Sequence, residues 1–363
     1  MLAAASSILF FGIVYSDSKT YIHMTRFFLG IADVKGVEGC VAARPLIPLL
    51  AAPLAAFLWM PIAYGILNSI FWVLSSLLMY HITLQISGSR QQALAAALLF
   101  TTSPPTLLYF GSVMLEAGGT FFTLLILWTY LHLQDRLNKP SSLLAGLLVG
   151  VGILSRETTL PVVMAILLLG MVARRAKWAL AWTLLLIVPS MIWQGYTTLT
   201  YGENYWTHYV RAGLEYSARR YGVSFYADAV DLLKALALAH FPLAAICLIV
   251  GFLSLNDRKQ NLIFYSLLLP ALGAYLLWPF RDLRIGVVTY YATMPLAGMG
   301  LDYVVRSLKQ KPLIGRVEPK AIWVALCLVH IVASITYVYI HLGTLSPPWN
   351  IHLFAPSSLR AGL

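Results

Sequence analysis

The stretch IAYGILNSIFWVLSSLLMYHITLQI at residues 62–86 contains no Asp, Glu, Lys or Arg. After the connector SGSR (87–90) a second apolar run, QQALAAALLFTTSPPTLLYF, follows at 91–110. As a helix the first run rises roughly 37 Å, more than the ~30 Å hydrocarbon core of a bilayer. Similar runs recur outward in both directions. Across the chain 60% of residues are apolar and 11% charged, with a mean hydropathy of +0.77. That composition belongs to an integral membrane protein.

The expected fold is all-α and polytopic. Spans are expected near 2–15, 62–86, 91–110, 115–133, 141–154, 157–173, 178–196, 240–255, 261–278, 287–305 and 321–341, about eleven crossings in one transmembrane domain over residues 1–363, without a separate soluble domain. Residues 46–60 are rich in Pro and Ala and too interrupted for a full span, so they read as a re-entrant or interface-lying helix. Residues 2–15 rise only ~21 Å as a helix and lack a basic leader, which favours an uncleaved first span over a signal peptide.

Charge sets the expected orientation. The short connections at 87–90, 134–140, 174–177, 256–260 and 306–320 carry most of the Lys and Arg, so the positive-inside rule puts them in the cytoplasm. The long connections 16–61, 197–239 and 279–286 then face outward and hold most of the acids. The net charge of +11 is therefore a property of cytoplasmic loops, and no nucleic-acid partner is expected. Cys40, Cys247 and Cys327 allow neither a disulfide framework nor a CxxC metal site. No HExxH, GxSxG or Walker pattern occurs.

Two acids stand out at the outer boundary: Asp17 in YSDSKTY (15–21) and Glu116 in FGSVMLEA (110–117). A carboxylate there suits a general base taking a proton from a hydroxyl that arrives from water, while a lipid-borne donor arrives from the bilayer. Glu116 is the stronger anomaly, because apolar and small residues flank it and an acid near hydrocarbon needs a cavity or a partner. The positive end of the helix that follows would also favour it.

Residues 139–177 read as a hairpin of two short helices with the polar tip LSRETTLP (154–161) between them. Its arms are too short to reach the surface, so Arg156 and Glu157 are expected in a recessed pocket, with Arg156 able to hold a phosphate. In WPFRDLRIGVVTYYATMP (278–295), Arg281, Arg284, Tyr290 and Tyr291 could clamp a lipid phosphate. In GENYWTHYVRAGLEYSARRYG (202–222), Tyr205, His208 and Tyr209 fall on an expected surface helix that is either an aromatic membrane anchor or, together with Glu157, a lid or acceptor wall. His208 has no second metal ligand at helical spacing. Lone acids could still hold Mg²⁺ or Mn²⁺ through a donor's phosphate, so metal use stays open.

These pieces together resemble the GT-C type of polyprenyl-phosphate-sugar-dependent membrane glycosyltransferases, in the branch with the dolichyl-phosphate-mannose protein mannosyltransferases and the lipid A aminoarabinose transferases. The resemblance rests on DSKTY (17–21), RPLIPLLAAPLA (44–55), GVGILSRETTLPVV (150–163) and YYATMPLA (290–297). It implies a GT-C-like membrane fold. It implies transfer of a sugar from a polyprenyl phosphate, with inversion, to a hydroxyl of a glycan, lipid or protein acceptor, at an extracytoplasmic site in the cell membrane. It makes Asp17 the base, matches Glu116 to an acid before the fourth helix, and matches Arg156 and Glu157 to the family's helix tip. Family members often carry Arg-Tyr where this chain has Tyr290-Tyr291, so Arg284 or Arg281 would supply the missing cation. The other class the residues allow is a transporter or flippase whose intramembrane charges line a pathway.

Overall fold

The computed structural model describes residues 17–207, 233–255, 257–277, 283–311 and 317–344. Among them no strand occurs, and they form helices of which several are long and apolar enough to cross a membrane. The expected first span at 2–15 lies outside the described residues.

Three short helices come first: α1 (Ser18–Phe28), α2 (Glu38–Ala43) and α3 (Leu46–Ala55). Helix α3 has only ten residues and contains Pro53, so it rises ~15 Å and cannot span the core. Next come α4 (Met60–Ser87) and α5 (Arg90–Thr101), then α6 (Pro104–Tyr109) and α7 (Glu116–Leu133). The run expected as one helix over 91–110 is thus two. Pro104 and Pro105 lack the N–H groups needed to continue α5, and they sit where a first helical turn tolerates them.

The expected hairpin is present, with α8 (Pro140–Gly150) going in and α9 (Leu160–Val172) coming back, joined by 3-10 turns at Val151–Ser155 and Glu157–Thr159. It is followed by α10 (Ala176–Tyr201). Helices α11 (Leu233–Ala239) and α12 (Leu243–Leu253) meet at a 104° bend. The order closes with α13 (Arg258–Leu277), a 3-10 turn at Leu283–Thr289, α14 (Tyr290–Lys309) and α15 (Pro319–Thr344). Among the described residues, α4, α10 and the Pro319–Ile340 part of α15 are each long and apolar enough to cross a membrane, and α11 with α12 passes that test as a bent pair.

Packing follows from small residues where backbones must meet. A methyl on Gly300 of α14 would lie 1.8 Å from the Cys247 carbonyl oxygen of α12, so these two helices touch through their backbones. Helix α14 also packs on α5, α4 on α7, α8 on α10, and α9 on α13. The outward faces stay apolar, with Leu184, Leu199, Leu253 and Tyr339 all exposed. In water that surface would aggregate, but in lipid it is the solvent-matched face.

Candidate active site

Besides Asp302, which pairs with Arg306 within α14, four charged side chains are buried close together among the described residues. Glu116 is 2%, Arg156 and Glu157 5% and Arg44 8% exposed. Removing such groups from water costs several kcal/mol each unless they are paired. Here the signs alternate. The Arg44 guanidinium forms a fork on Glu157, Nε donating to Oε2 at 2.7 Å and Nη2 to Oε1 at 2.5 Å. Arg156 lies between the two acids, its Nη1 2.5 Å from Glu116 Oε1 and its Nε 3.8 Å from Glu157 Oε1. The two guanidiniums offset the cost of burying the Glu157 carboxylate.

Each member is positioned by local chemistry. Glu116 opens α7, and the turn before it is tied down from two sides. Asn68, buried in α4, donates to the carbonyls of Ser112 and Met114 at 2.6 and 2.8 Å. Ser18 Oγ donates to Val113 O at 2.7 Å, which brings the start of α1, and with it Asp17, beside the same turn. Two glycines follow Glu116 because the site is crowded there. A methyl on Gly118 would lie 2.2 Å from Ile47 Cδ1, and one on Gly119 would lie 3.0 Å from Arg156 Cβ. The tip is closed by its own hydroxyls, Ser155 Oγ donating to Gly152 O and Thr159 Oγ1 to Arg156 O.

Asp17 is half-buried at the N-cap of α1. Its charge reaches Tyr21, as do those of Arg44, Glu116 and Arg156, so all four converge on one phenol. Arg44 Nη1 donates to the Tyr21 hydroxyl at 3.2 Å, and burial pushes that phenol's pKa up. Arg44 was not among the residues singled out from the sequence. The available signal was its place at the head of RPLIPLLAAPLA, one cation before a Pro-rich apolar stretch.

Two cavities meet at the tip. A narrow polar cleft is lined by Glu116, Thr120, Thr123, Arg156, Thr158 and Tyr291. The Tyr291 hydroxyl is buried there with no hydrogen-bond partner, and neither Glu116 oxygen accepts an aligned hydrogen bond. An apolar groove of about 550 Å³ runs between α9 and α13, past Leu160, Pro161, Met164, Leu269, Pro270 and Gly273. Thr158 and Val288 line both cavities, while Glu157 and Tyr205 stand at the groove's polar end. Leu160, Met164 and Leu269 are exposed, so the groove opens toward lipid.

The remaining sequence candidates divide. Tyr290 faces away from the cleft: its hydroxyl donates to Ala239 O at 2.7 Å, at the bend between α11 and α12. Tyr205 sits at the groove, its backbone N–H donating to Gln194 Oε1 at 2.6 Å. Its phenol pKa is raised, by burial first and by the Glu157 charge second. His208, Tyr209 and Arg281 lie outside the described residues, as does the side chain of Arg284. No group of three His, Cys, Asp or Glu suited to a metal occurs among the described residues. Glu116 and Glu157 each face a guanidinium, so as a donor set they do not fit a divalent ion.

Residues 61–193 match the family model described as dolichyl-phosphate-mannose-protein mannosyltransferase. No curated protein matches the chain. Among solved structures, the oligosaccharyltransferase AglB from Archaeoglobus fulgidus, in complex with an inhibitory peptide and a dolichol-phosphate, superposes with a TM-score of 0.56 at 15% identity, over 93% of this chain and 54% of that one. ArnT from Cupriavidus metallidurans, bound to undecaprenyl phosphate, gives 0.60 at 14% identity, over 93% and 68%. The Archaeoglobus fulgidus oligosaccharyltransferase in complex with Zn and sulfate gives 0.56 at 15% identity, over 93% and 51%. The chain thus spans about half the length of the oligosaccharyltransferase it resembles. By these comparisons the chain has the membrane-protein fold shared by AglB and ArnT, and its residues 61–193 resemble the dolichyl-phosphate-mannose-protein mannosyltransferase family.

Proposed function

We propose that this chain transfers a sugar, a hexose or hexose derivative, from a polyprenyl-phosphate donor to an acceptor hydroxyl at the outer face of the cell membrane. The Lys- and Arg-rich short connections, cytoplasmic by the positive-inside rule, support an outer-face position for the cluster of Asp17, Glu116, Arg156 and Glu157 in a chain of about eleven crossings. The observation that carries the proposal is the junction of a lipid-open apolar groove with a polar cleft containing a buried arginine, the two sharing Thr158 and Val288. The groove takes the first isoprene units, and Arg156, Thr158 and Tyr291 take the phosphate. Arg281 and Arg284, in the connection before α14, add charge to the same phosphate. That AglB and ArnT were solved with dolichol-phosphate and undecaprenyl phosphate supports this choice of donor.

In the proposed reaction the acceptor hydroxyl gives its proton to the Asp17 carboxylate as its oxygen bonds to C1. The C1–O bond to phosphate breaks and the prenyl phosphate leaves with the electron pair. A single displacement inverts C1. Phosphate is already a good leaving group, so one carboxylate suffices where a glycosidase needs two. The guanidinium of Arg156 stabilises charge gathering on the phosphate. Glu116 and Glu157 act as positioning residues, holding Arg156 and Arg44 in place. Tyr205, His208 and Tyr209 form the acceptor side of the site, and the acceptor is a glycan, lipid or protein hydroxyl. Glu116 and Glu157 face guanidiniums rather than a metal, and the reaction is written without one.

The test is transfer in liposomes from a panel of polyprenyl-phosphate sugars by the native protein, Asp17→Asn and Glu116→Gln. Asp17→Asn should lose at least ~100-fold, the low end for a general base. Glu116→Gln should weaken donor binding while keeping the pH profile of the native protein. Full activity in Asp17→Asn transfers the base role to Glu116. No reaction from any donor points instead to transport through the same polar cleft.

A further inference from the structure

A second charged cavity, of about 480 Å³, lies at the other end of the same helices. It opens between the connection after α7 and the one joining α9 to α10, and is lined by Asp135, Asn138, Arg174, Arg175, Lys177 and Trp178. The 18 residues of α7 separate this end from Glu116 by roughly 27 Å. The cavity therefore sits at the opposite membrane boundary and takes no part in the proposed reaction.

One of its arginines is held in place. Arg175 donates to the Gln134 carbonyl and pairs with Asp135 Oδ1 at 3.0 Å, tying the two connections together. Lys177 Nζ lies 5.7 Å from the centre of the Trp178 ring. Helix α9 closes with the Arg175 N–H donating to Gly170 O at 2.7 Å and the Arg174 N–H to Met171 O at 3.0 Å. This two-bond reversal places one residue in the left-handed region, where glycine is the usual choice because a Cβ is strained there. Here that residue is Arg174, with φ 58°, the one non-glycine residue with positive φ among those described. An arginine at this position works against its own turn, so its side chain serves something else. Three cations against one carboxylate line the cavity. Beside it the lipid-facing residues Met171, Leu180 and Leu184 are exposed.

We propose that this cavity binds the phosphate of an anionic membrane lipid, with Arg174 and Lys177 on the headgroup and the acyl chains along the exposed faces of α9 and α10. The chemistry is that of a phosphate ester held by guanidinium and ammonium groups at a bilayer boundary.

Unfolding midpoints of the native protein, Arg174→Gly and Lys177→Gln in phosphatidylcholine bilayers, with and without phosphatidylglycerol, test this. The native protein should gain stability with phosphatidylglycerol. Arg174→Gly should equal or exceed the native protein in phosphatidylcholine alone, because the turn is relieved, yet lose most of the anionic-lipid gain. Each single variant should bind phosphatidylglycerol about fivefold more weakly. Arg258→Gln with Lys259→Gln, on another connection, should keep the gain. An undiminished gain in Arg174→Gly overturns the proposal, and so does an equal loss in the Arg258/Lys259 variant, which would mean diffuse surface attraction. Lower stability of Arg174→Gly in phosphatidylcholine alone also overturns it, since Arg174 would then serve the turn itself. If inorganic phosphate in detergent reproduces the gain and phosphatidylglycerol adds nothing, the ligand is a soluble anion and the lipid assignment falls.

Discussion

Removing Arg44 offers the sharpest test of how the charged cluster is held. In the native protein both Glu157 oxygens accept from Arg44, and the other cation near Glu157 is Arg156, 3.8 Å away and already against Glu116. Arg44→Ala leaves a buried carboxylate with one shared, distant partner. Breaking a buried ion pair from one side costs about 3–5 kcal/mol, whereas exchanging both members for apolar groups of similar volume is often neutral. The double variant Arg44→Met, Glu157→Met leaves Arg156 and Glu116 as a closed pair and should recover most of the loss. Because membrane proteins seldom unfold reversibly, the readout is the half-life of tryptophan fluorescence in detergent at a fixed elevated temperature. If the loss falls on unfolding, 3 kcal/mol shortens that half-life on the order of 100-fold. A half-life for Arg44→Ala within about threefold of native would refute the energetic reasoning, since that is below 1 kcal/mol. So would a double variant as short-lived as the single.

Three further outcomes follow from the same geometry. Tyr291→Phe should raise the KM for the lipid donor with little effect on stability, because its hydroxyl has no protein partner. Tyr290→Phe should cost about 1 kcal/mol of stability with KM unchanged, because it loses the bond to Ala239 O. A methyl on Gly273 meets nothing within 4 Å, so Gly273→Leu should fold normally, narrow the groove, and raise the KM for long prenyl donors more than for short ones.

Much of the fold was legible in the sequence, since charge-free runs bounded by polar connectors are set by the bilayer itself. Helices α4, α10, α13 and α15 begin and end within a few residues of the expected spans, apart from the end of α10, which runs on to Tyr201. The hairpin tip with Arg156 and Glu157 was legible too, because two arms shorter than the hydrocarbon core must recess whatever lies between them. The bend between α11 and α12 was not, because the expected outer connection runs on to residue 239 and so takes in the whole of α11. Arg44 was hidden for a different reason. It stands 113 positions from its partner Glu157, and its one local signal, the Pro-rich stretch it heads, does not point to that partner. Tyr290 and Tyr291 are adjacent and chemically alike, and only the turn that starts α14 decides which one meets the cleft.

The proposed reaction stands or falls on Arg156 and a prenyl-phosphate leaving group. The measurement that reaches both is release of prenyl phosphate from a panel of polyprenyl-phosphate sugars in liposomes, by the native protein and by Arg156→Gln at matched expression. Release from at least one donor is expected, with a loss of about 10²–10³ in the variant, the usual effect of removing one group that stabilises charge in the transition state. No release from any donor by the native protein, or release undiminished in Arg156→Gln, would contradict it.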